Sequence, residues 1–471
     1  MRKSKAQRAA RRQRREGKRR DQELLPTRVP FAAVETAQTA TPPEALPPSD
    51  IRSWANRAVW TKRMLSTLVE RRLKHGKWYS LIDKVTGELN LFGAARKVTG
   101  RKGAAGVDGQ DWQSFEEQII VETRTLAGQI TSGHYRPSPV RRVHIPKPGS
   151  DQRRPLGIPT IRDRVVQTAL VSVIEPILDN EFHERSFGFR HGRSAHDALR
   201  VVERKIEEGY VYVVDADLKG YFDSIPKDKL MRLVKQHIAD SKVIELIEAF
   251  LDCGIMEDLH LHNPIAGVPQ GAVLSPVLSN LYLSDLDHTM AGEGFEMVRY
   301  ADDFVVLCRS EFEAEVALEV IQGWVAKAGL RLHPTKTKIV DSRQKSFAFL
   351  GYSFRGEKIY PRAESLARMR SRIVELTSRN RPGSIERIAF ELSRVLRGWF
   401  GYFRHCRWTI FRDLDGKIRA RLRRLLLKRH RNNPDRLSRN QRWPNAYFAA
   451  AGLYSLREAH LRFANSLPGT Y

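Results

Sequence analysis

Tyr300-Ala301-Asp302-Asp303 lies between two apolar runs, Met297-Val298 on one side and Phe304-Val305-Val306-Leu307 on the other. A short polar break between two β-prone runs reads as a β-hairpin with its carboxylates at the tip. Adjacent aspartates repel each other, so such a tip is a poor turn if stability is its only purpose. A hard divalent cation removes that repulsion, because Mg²⁺ takes carboxylate oxygens and keeps positions open for substrate phosphates. Taken alone, an Asp-Asp pair is an acidic turn more often than a metal site, so the rest of the chain decides.

Bulk composition points toward a polyanionic partner. The chain has 471 residues and a formal net charge of +27, from 81 Lys+Arg against 54 Asp+Glu. A pI near 10.2 is the electrostatic footprint of a nucleic-acid binder, although a merely basic surface has the same composition. The length suits about two to four domains. Three cysteines, Cys253, Cys308 and Cys406, lie far apart and in no CxxC spacing. That pattern excludes a disulfide framework and a cysteine-based zinc site, and implies a reducing compartment. No run of eighteen apolar residues occurs, and the longest candidate, 165–178, is broken by Gln167, Thr168, Ser172 and Glu175.

Residues 1–50 read as a disordered basic arm, with blocks such as Arg11-Arg12-Gln13-Arg14-Arg15, followed by a Pro/Thr/Ala-rich linker. The arm lacks the apolar core of a secretory signal. Trp54, Val59, Trp60, Met64, Leu65 and Leu68 form a helical stripe suited to a core. From about Gly103 short strands and helices alternate. Tyr210-Val211-Tyr212-Val213-Val214 predicts a buried strand, and 229–238, 242–251 and 312–328 predict helices. Ser275-Pro276 predicts a helix start, with the serine as cap and the proline in the first helical position. After about Pro361 the chain is helical and strongly basic, as in Arg419-Ala420-Arg421-Leu422-Arg423-Arg424.

The predicted strand runs into Asp215-Ala216-Asp217-Leu218-Lys219-Gly220-Tyr221-Phe222-Asp223. A carboxylate at its end can join Asp302 and Asp303 from a neighbouring strand. Three carboxylates held by one sheet suit two Mg²⁺ ions about 3.5–4 Å apart, the arrangement that clamps attacking and leaving oxygens in phosphoryl transfer. The Leu218 backbone carbonyl offers a further hard oxygen. Asp215, Asp217 and Asp223 compete for the third position, and Asp215 and Asp217 share a strand face, so spacing alone does not choose among them.

A series of further motifs carries a family resemblance. In chain order they include Lys77-Trp78-Tyr79-Ser80-Leu81-Ile82-Asp83-Lys84-Val85, Lys102-Gly103-Ala104-Ala105-Gly106-Val107-Asp108-Gly109, Ile145-Pro146-Lys147-Pro148 and Arg154-Pro155-Leu156-Gly157-Ile158-Pro159. Ser186-Phe187-Gly188-Phe189-Arg190, the Asp217 segment, Pro269-Gln270-Gly271, the Asp302-Asp303 hairpin, Pro334-Thr335-Lys336-Thr337-Lys338 and Phe349-Leu350-Gly351-Tyr352 follow. The ordered set resembles the bacterial group II intron-encoded reverse transcriptase/maturase from about Trp60 to the C-terminus. Leu396-Arg397-Gly398-Trp399-Phe400-Gly401-Tyr402-Phe403 and Trp443-Pro444-Asn445-Ala446-Tyr447-Phe448 are similar to its thumb and maturase landmarks.

The resemblance implies an α+β, right-hand polymerase fold: fingers and palm with an antiparallel sheet, followed by a helical thumb/maturase domain. It implies an N-terminal helical extension over 51–100, fingers and palm over 101–355, thumb/maturase over 356–435 and a small basic domain over 436–471. It selects Asp217 as the catalytic and metal-binding acid beside Asp302 and Asp303, with Leu218 as a metal ligand. It makes Phe222 the gate against a 2′-hydroxyl, Lys147 and Arg154 the triphosphate holders, Gln270 a contact at the nascent base pair, and Lys336 an aid to pyrophosphate departure. Arg397, Arg419, Arg421, Arg423 and Arg424 become RNA-binding candidates, because phosphates supply affinity for basic surfaces.

The expected function is RNA-directed DNA polymerisation with two Mg²⁺ ions, together with intron-RNA binding that assists splicing and supports mobility by target-primed reverse transcription. The expected partners are an intron RNA template, a DNA primer or target and deoxynucleoside triphosphates, with no membrane. The expected location is the bacterial cytoplasm, in association with nucleoid or RNA. The His and paired-Cys spacing of the endonuclease found in many relatives is absent, so no DNA-cutting domain is expected. Two alternatives remain open: a domesticated reverse transcriptase of defence or repair, and a splicing cofactor acting mainly without polymerisation.

Overall fold

The computed structural model describes Ile51 and residues 55–70, 76–146, 153–258, 260–263, 266–430 and 438–466. The expected basic arm over 1–50 and Lys147 lie outside the described residues. Short helices open the fold. They include α1 (Lys62–Val69) and α2 (Glu88–Thr99), whose buried residues belong to one core that also holds Trp60 and Trp78, 5.1 Å apart edge to face. The Trp60 indole N–H donates to the Ser172 carbonyl at 3.1 Å. Of the helical stripe read from sequence, Val59, Trp60, Leu65 and Leu68 are buried, as a core stripe requires.

The strands β1 (Val140–Pro146) and β2 (Arg153–Ile158) form an antiparallel hairpin. Helix α3 (Ile161–Asp179) follows and is buried along most of its length, with α2 packed against it. The apolar run at 165–178 is thus a core helix. Helix α4 (Ala195–Glu207) begins with a reciprocal capping box, Ser194 to Asp197. Next comes β3 (Tyr212–Asp217), which starts two residues later than expected and carries both Asp215 and Asp217. The short strands β4 (Ile255–Glu257) and β5 (His260–His262) complete a sheet of order β2-β1-β4-β5, in which β1 and β4 make a brief parallel contact.

Helix α5 (Ser275–Gly292) precedes β6 (Glu296–Tyr300) and β7 (Asp303–Cys308), and α6 (Glu311–Ala328) leads to β8 (Lys338–Asp341). The central sheet has the order β6-β7-β3-β8 and is antiparallel throughout. The start of α5 departs from the sequence reading. Leu274 occupies the cap position and Ser275 is already helical. The Ser275 hydroxyl instead donates to the Pro269 carbonyl at 2.7 Å, tying the preceding loop to the helix.

A three-stranded sheet, β9 (Phe347–Phe349), β10 (Tyr352–Arg355) and β11 (Lys358–Pro361), links the palm to the helical C-terminal part. That part contains α7 (Ala363–Leu376), α8 (Ile385–Phe403), α9 (Trp408–Arg429) and α10 (Leu456–Ser466). Two apolar cores share the central sheet. Val214, Ala216, Phe304 and Val306 face α3, α5 and α6, whereas Val213, Val298, Val305 and Leu307 face the core built with α8 and α9. Strand alternation alone produces this two-sided burial, since successive side chains point to opposite faces.

One buried ion pair braces the sheet. Arg299 on β6 is fully buried and donates from Nε and Nη2 to the Asp287 carboxylate on α5, at 2.8 and 2.5 Å. Removing one member of such a pair leaves an uncompensated buried charge, at a cost of about 3–5 kcal/mol. Asp287→Ala is therefore expected to lower unfolding stability by about that amount in urea titrations, far more than the surface substitution Asp413→Ala.

Candidate active site

The Tyr300↔Asp303 pairing closes the β6–β7 hairpin and leaves Ala301-Asp302 as a two-residue connection. Ala301 has φ +60°, the left-handed conformation that a two-residue hairpin of this kind requires at its first position. A residue with a Cβ is disfavoured there, so something must hold it. The Arg299 Nη1 donates to the Ala301 carbonyl and to Asn280 Oδ1, both at 2.9 Å. Asn280 Nδ2 in turn donates to the Gly188 carbonyl at 2.8 Å. A Cβ on Gly188 would lie 2.2 Å from the Ala301 nitrogen, so only glycine lets these two backbones meet.

Asp217 pairs directly with Asp303 across β3 and β7, which puts both side chains on one face, with Asp215 two residues away on the same face. Asp302 projects from the adjacent turn. Desolvation by the surrounding protein is the main cause that raises the Asp303 pKa, to about 7, and the charges of Asp215, Asp302 and Asp217 add to it. Asp303 nonetheless keeps an edge open to solvent, as a carboxylate that must meet a ligand requires, and that access moderates the desolvation. Asp302 is also raised, first by burial and then by Asp217, while Arg299 partly offsets this. Burial chiefly raises Asp215, with Asp217 adding to it and Lys338, 3.5 Å away, opposing.

Asp223 stands apart from this group. It accepts from Gln270 Nε2 at 3.1 Å, and burial raises it while Arg142 opposes. The structure therefore gathers Asp215, Asp217, Asp302 and Asp303 and leaves Asp223 on the neighbouring loop. Leu218 pairs with Leu332 in a bridge whose two hydrogen bonds, Lys219 N to Arg331 O and His333 N to Asp217 O, come from flanking residues. In such a non-hydrogen-bonded pair the Leu218 carbonyl turns away from Leu332, toward the β7 side.

Among the described residues no three His, Cys, Asp or Glu side chains converge tightly enough to enclose an ion. The Lys336 ammonium occupies Asp217 Oδ2 at 2.5 Å and neutralises one member of the group. The donor set still fits a hard divalent cation: mutually repelling carboxylates on one sheet face, plus a carbonyl on their side. Reverse transcriptase domains in general use divalent metal ions.

The other predicted residues gather around this face. Phe222 lies half-buried in the helical turn Tyr221–Ser224, while Tyr221 beside it is fully buried with its hydroxyl on the Ser279 carbonyl at 2.8 Å. The Phe222 carbonyl accepts from Val268 N at 2.7 Å, so the Gln270 loop packs directly on the gate candidate. Gly271, at φ +102°, lets that loop approach the β1–β2 hairpin; its absent Cβ would fall 2.4 Å from the Gly157 oxygen. Arg154 is exposed on β2. A cavity of about 290 Å³, lined by Arg142, Gly157, Asp223 and Gln270 among others, flanks this loop and does not include Asp217, Asp302 or Asp303.

The basic candidates of the C-terminal part have varied roles. Arg421 donates from Nε to Thr377 Oγ1 at 2.6 Å, Arg423 to the Trp443 carbonyl at 2.9 Å, and Arg419 lies 3.8 Å from Asp415. Arg397 stacks over Tyr454 at 5.4 Å. Arg424 is exposed and, with Arg370, Lys417 and Arg421, rims a groove between α7 and α9. The aromatics Phe400, Phe403, Trp443 and Phe448 are buried, whereas Tyr402 and Tyr447 of the same motifs remain exposed. Sequence reading missed the Arg299–Asp287–Asn280–Gly188 support. Its one visible signal was a charged residue inside the apolar strand that ends at Tyr300.

Two family profiles match the chain: reverse transcriptase (RNA-dependent DNA polymerase) over residues 145–354, and the group II intron maturase-specific domain over residues 366–443. Protein YkfC of Escherichia coli K12 is 34% identical over 313 residues, covering 58% of this chain and 82% of that protein. The group II intron-encoded protein LtrA of Lactococcus lactis subsp. cremoris is 38% identical over 196 residues, 41% of this chain and 32% of LtrA. The chain thus spans most of the length of the first relative and about a third of the second. Among solved structures, a chain of a partial Cas6-RT-Cas1–Cas2 complex is 25% identical, covering 53% of this chain and 41% of that one, with a TM-score of 0.35. The two profile matches and the similarity to YkfC, together with the paired aspartates on an antiparallel sheet and the helical C-terminal part, place the chain in the group II intron reverse transcriptase/maturase family, an RNA-directed DNA polymerase joined to a maturase domain.

Proposed function

We propose that DNA synthesis on an RNA template takes place at Asp217, Asp302 and Asp303, and that the basic helices after Pro361 hold intron RNA for splicing independently of that chemistry. The observation that carries the first part is the Asp217↔Asp303 cross-strand pair with Asp302 at the adjoining turn. These three carboxylates, with the Leu218 carbonyl, would hold two Mg²⁺ ions, which when bound activate a primer hydroxyl and neutralise the leaving pyrophosphate.

The chain's own residues then mainly bind and orient. Phe222, fixed by the Gln270 loop, closes the space beside the sugar of the incoming nucleotide against a 2′-hydroxyl. Arg154, with Lys147, offers cations to the triphosphate. Lys336 shields Asp217 until substrate arrives and then faces the phosphates. Arg424 and its basic neighbours on the groove between α7 and α9 are positioned to meet an RNA backbone. The partners are intron RNA, a DNA primer or target and deoxynucleoside triphosphates. No described helix is long and apolar enough to cross a membrane.

Three outcomes test this reading. The double substitution Asp302→Ala/Asp303→Ala is expected to abolish cDNA synthesis on a primed RNA while leaving splicing assistance largely intact; equal loss of both activities would overturn the separation. Phe222→Ala is expected to admit ribonucleotides, read as the ratio of ribo- to deoxynucleotide incorporation, and an unchanged ratio removes the gate. The third outcome concerns pH. The Asp303 carboxyl titrates at about 7 in the folded protein, against about 4 for an unperturbed aspartate. The folded state therefore holds this proton more tightly than the unfolded chain, and stability from this group is lost as pH rises toward 7. Metal-free Asp303→Asn should accordingly melt higher than the parent at pH 8, by roughly 2 °C or more. The gap should narrow at pH 5 and close below about pH 4, and millimolar Mg²⁺ should raise the parent more than the variant.

A further inference from the structure

Asp223 stands outside the carboxylate group of the central sheet, yet its surroundings are closely built. It follows Phe222 in the helical turn Tyr221–Ser224, and that turn is clamped to the loop leading to Gln270. Val268 N donates to the Phe222 carbonyl at 2.7 Å, and Gly267 N donates to the Ile225 carbonyl at 2.9 Å. Between those two bonds the backbones touch. Gly267 has φ +100°, and a Cβ on it would lie 2.9 Å from the Asp223 carbonyl oxygen.

Gln270 closes the clamp with its side chain. Its Nε2 donates to Asp223 Oδ2 at 3.1 Å, the one side-chain hydrogen bond that Asp223 makes among the described residues. Arg142 lines the same cavity but is engaged by Glu257 at 3.3 Å. On its backbone side the Gln270 carbonyl accepts from Gly157 N at 2.6 Å, on the strand β2 that carries Arg154. Gln270 therefore bridges the fingers strand and the turn of the gate candidate. An ionised carboxylate only accepts hydrogen bonds, so Asp223 selects one of the two amide orientations of Gln270. The nitrogen faces the carboxylate, and Oε1 is presented as an acceptor on the opposite side of the amide.

We propose that Asp223 is a positioning residue for nucleotide selection. Its carboxylate fixes the Gln270 amide and holds the Gln270 loop against the Phe222 turn, so that the base-pair contact and the sugar gate keep one fixed separation. This inference deepens the proposed polymerase reading and rests on the nucleotide-contacting roles of Gln270 and Phe222. It gives Asp223 a task other than metal binding.

Single-nucleotide extension of a DNA primer on an RNA template tests it in the full chain. Asp223→Ala is expected to raise the KM for the deoxynucleotide about fivefold, with a smaller change in kcat, and to lower the deoxy-to-ribo ratio of kcat/KM by about as much. That is the order expected when a hydrogen bond to a charged acceptor is lost. The Mg²⁺ concentration for half-maximal rate and the melting temperature should not move. Asp223→Asn keeps an acceptor oxygen and should recover most of the selectivity. Because Asp223 acts through Gln270, Asp223→Ala/Gln270→Ala should be no worse than Gln270→Ala alone. A wild-type KM and ratio for Asp223→Ala, effects that multiply in the double variant, no recovery in Asp223→Asn, or a raised Mg²⁺ requirement each overturn the proposal. A lowered melting temperature with an unchanged ratio assigns the bond to stability alone and also overturns it. Gln270→Ala with a wild-type KM and ratio would defeat the nucleotide-contacting role of Gln270 itself, whereas loss in that variant beside a neutral Asp223→Ala would defeat only the Asp223 inference.

Discussion

The Arg299–Asp287 pair is the constraint on which the polymerase face depends. A guanidinium fully removed from water must satisfy its donors within the protein. Here the donors are divided between the Asp287 carboxylate, the Asn280 side chain and the Ala301 carbonyl. The last bond holds a left-handed alanine one residue before Asp302. Asn280 extends the support to Gly188, whose missing side chain allows backbone to touch backbone. One desolvated cation therefore ties α5, the 186–190 loop and the aspartate hairpin into a single unit. Apolar side chains of similar volume would fill the core, yet the hairpin would lose the donor that holds its strained residue.

Around that unit the fold concentrates negative charge instead of dispersing it. Asp215, Asp217, Asp302 and Asp303 occupy one side of the β3–β7 pair, and burial and mutual repulsion raise the pKa of Asp303 and Asp302. Arg299 offsets part of the rise at Asp302, and Lys336 pairs with Asp217. A site strained in this way is stabilised by whatever brings positive charge to it, which is the electrostatic logic of divalent-cation binding. The same sheet face continues into the core shared with α8 and α9, so the thumb packs on the surface that presents the carboxylates.

Much of this was legible in the sequence, for identifiable reasons. The motifs that carry the resemblance are local: the Asp302-Asp303 hairpin, the Asp217 strand end and the Gln270 loop each depend on residues within a few positions of one another. Burial of Val59, Trp60, Leu65 and Leu68 followed from their helical periodicity. Other features failed locally. Ser275 has the composition of a helix cap but stands one residue inside the helix, where its hydroxyl donates to the Pro269 carbonyl instead. Arg421 and Arg423 look like free cations in a basic run, yet each donates to Thr377, Trp443 or both backbone and side chain of a neighbouring segment.

The sequence by itself determined the chemistry: which carboxylates are present, their order, the basic balance of the chain and the family to which those motifs belong. These are properties of residue type and spacing, and they survive without coordinates. Only the tertiary structure decided which carboxylates meet, since Asp215, Asp217 and Asp223 are equivalent by spacing and are separated by strand register and by the Gln270 loop. It also decided what holds their hairpin, because Arg299, Asp287, Asn280 and Gly188 lie on separate elements and become neighbours only when buried donors must find acceptors across packed elements.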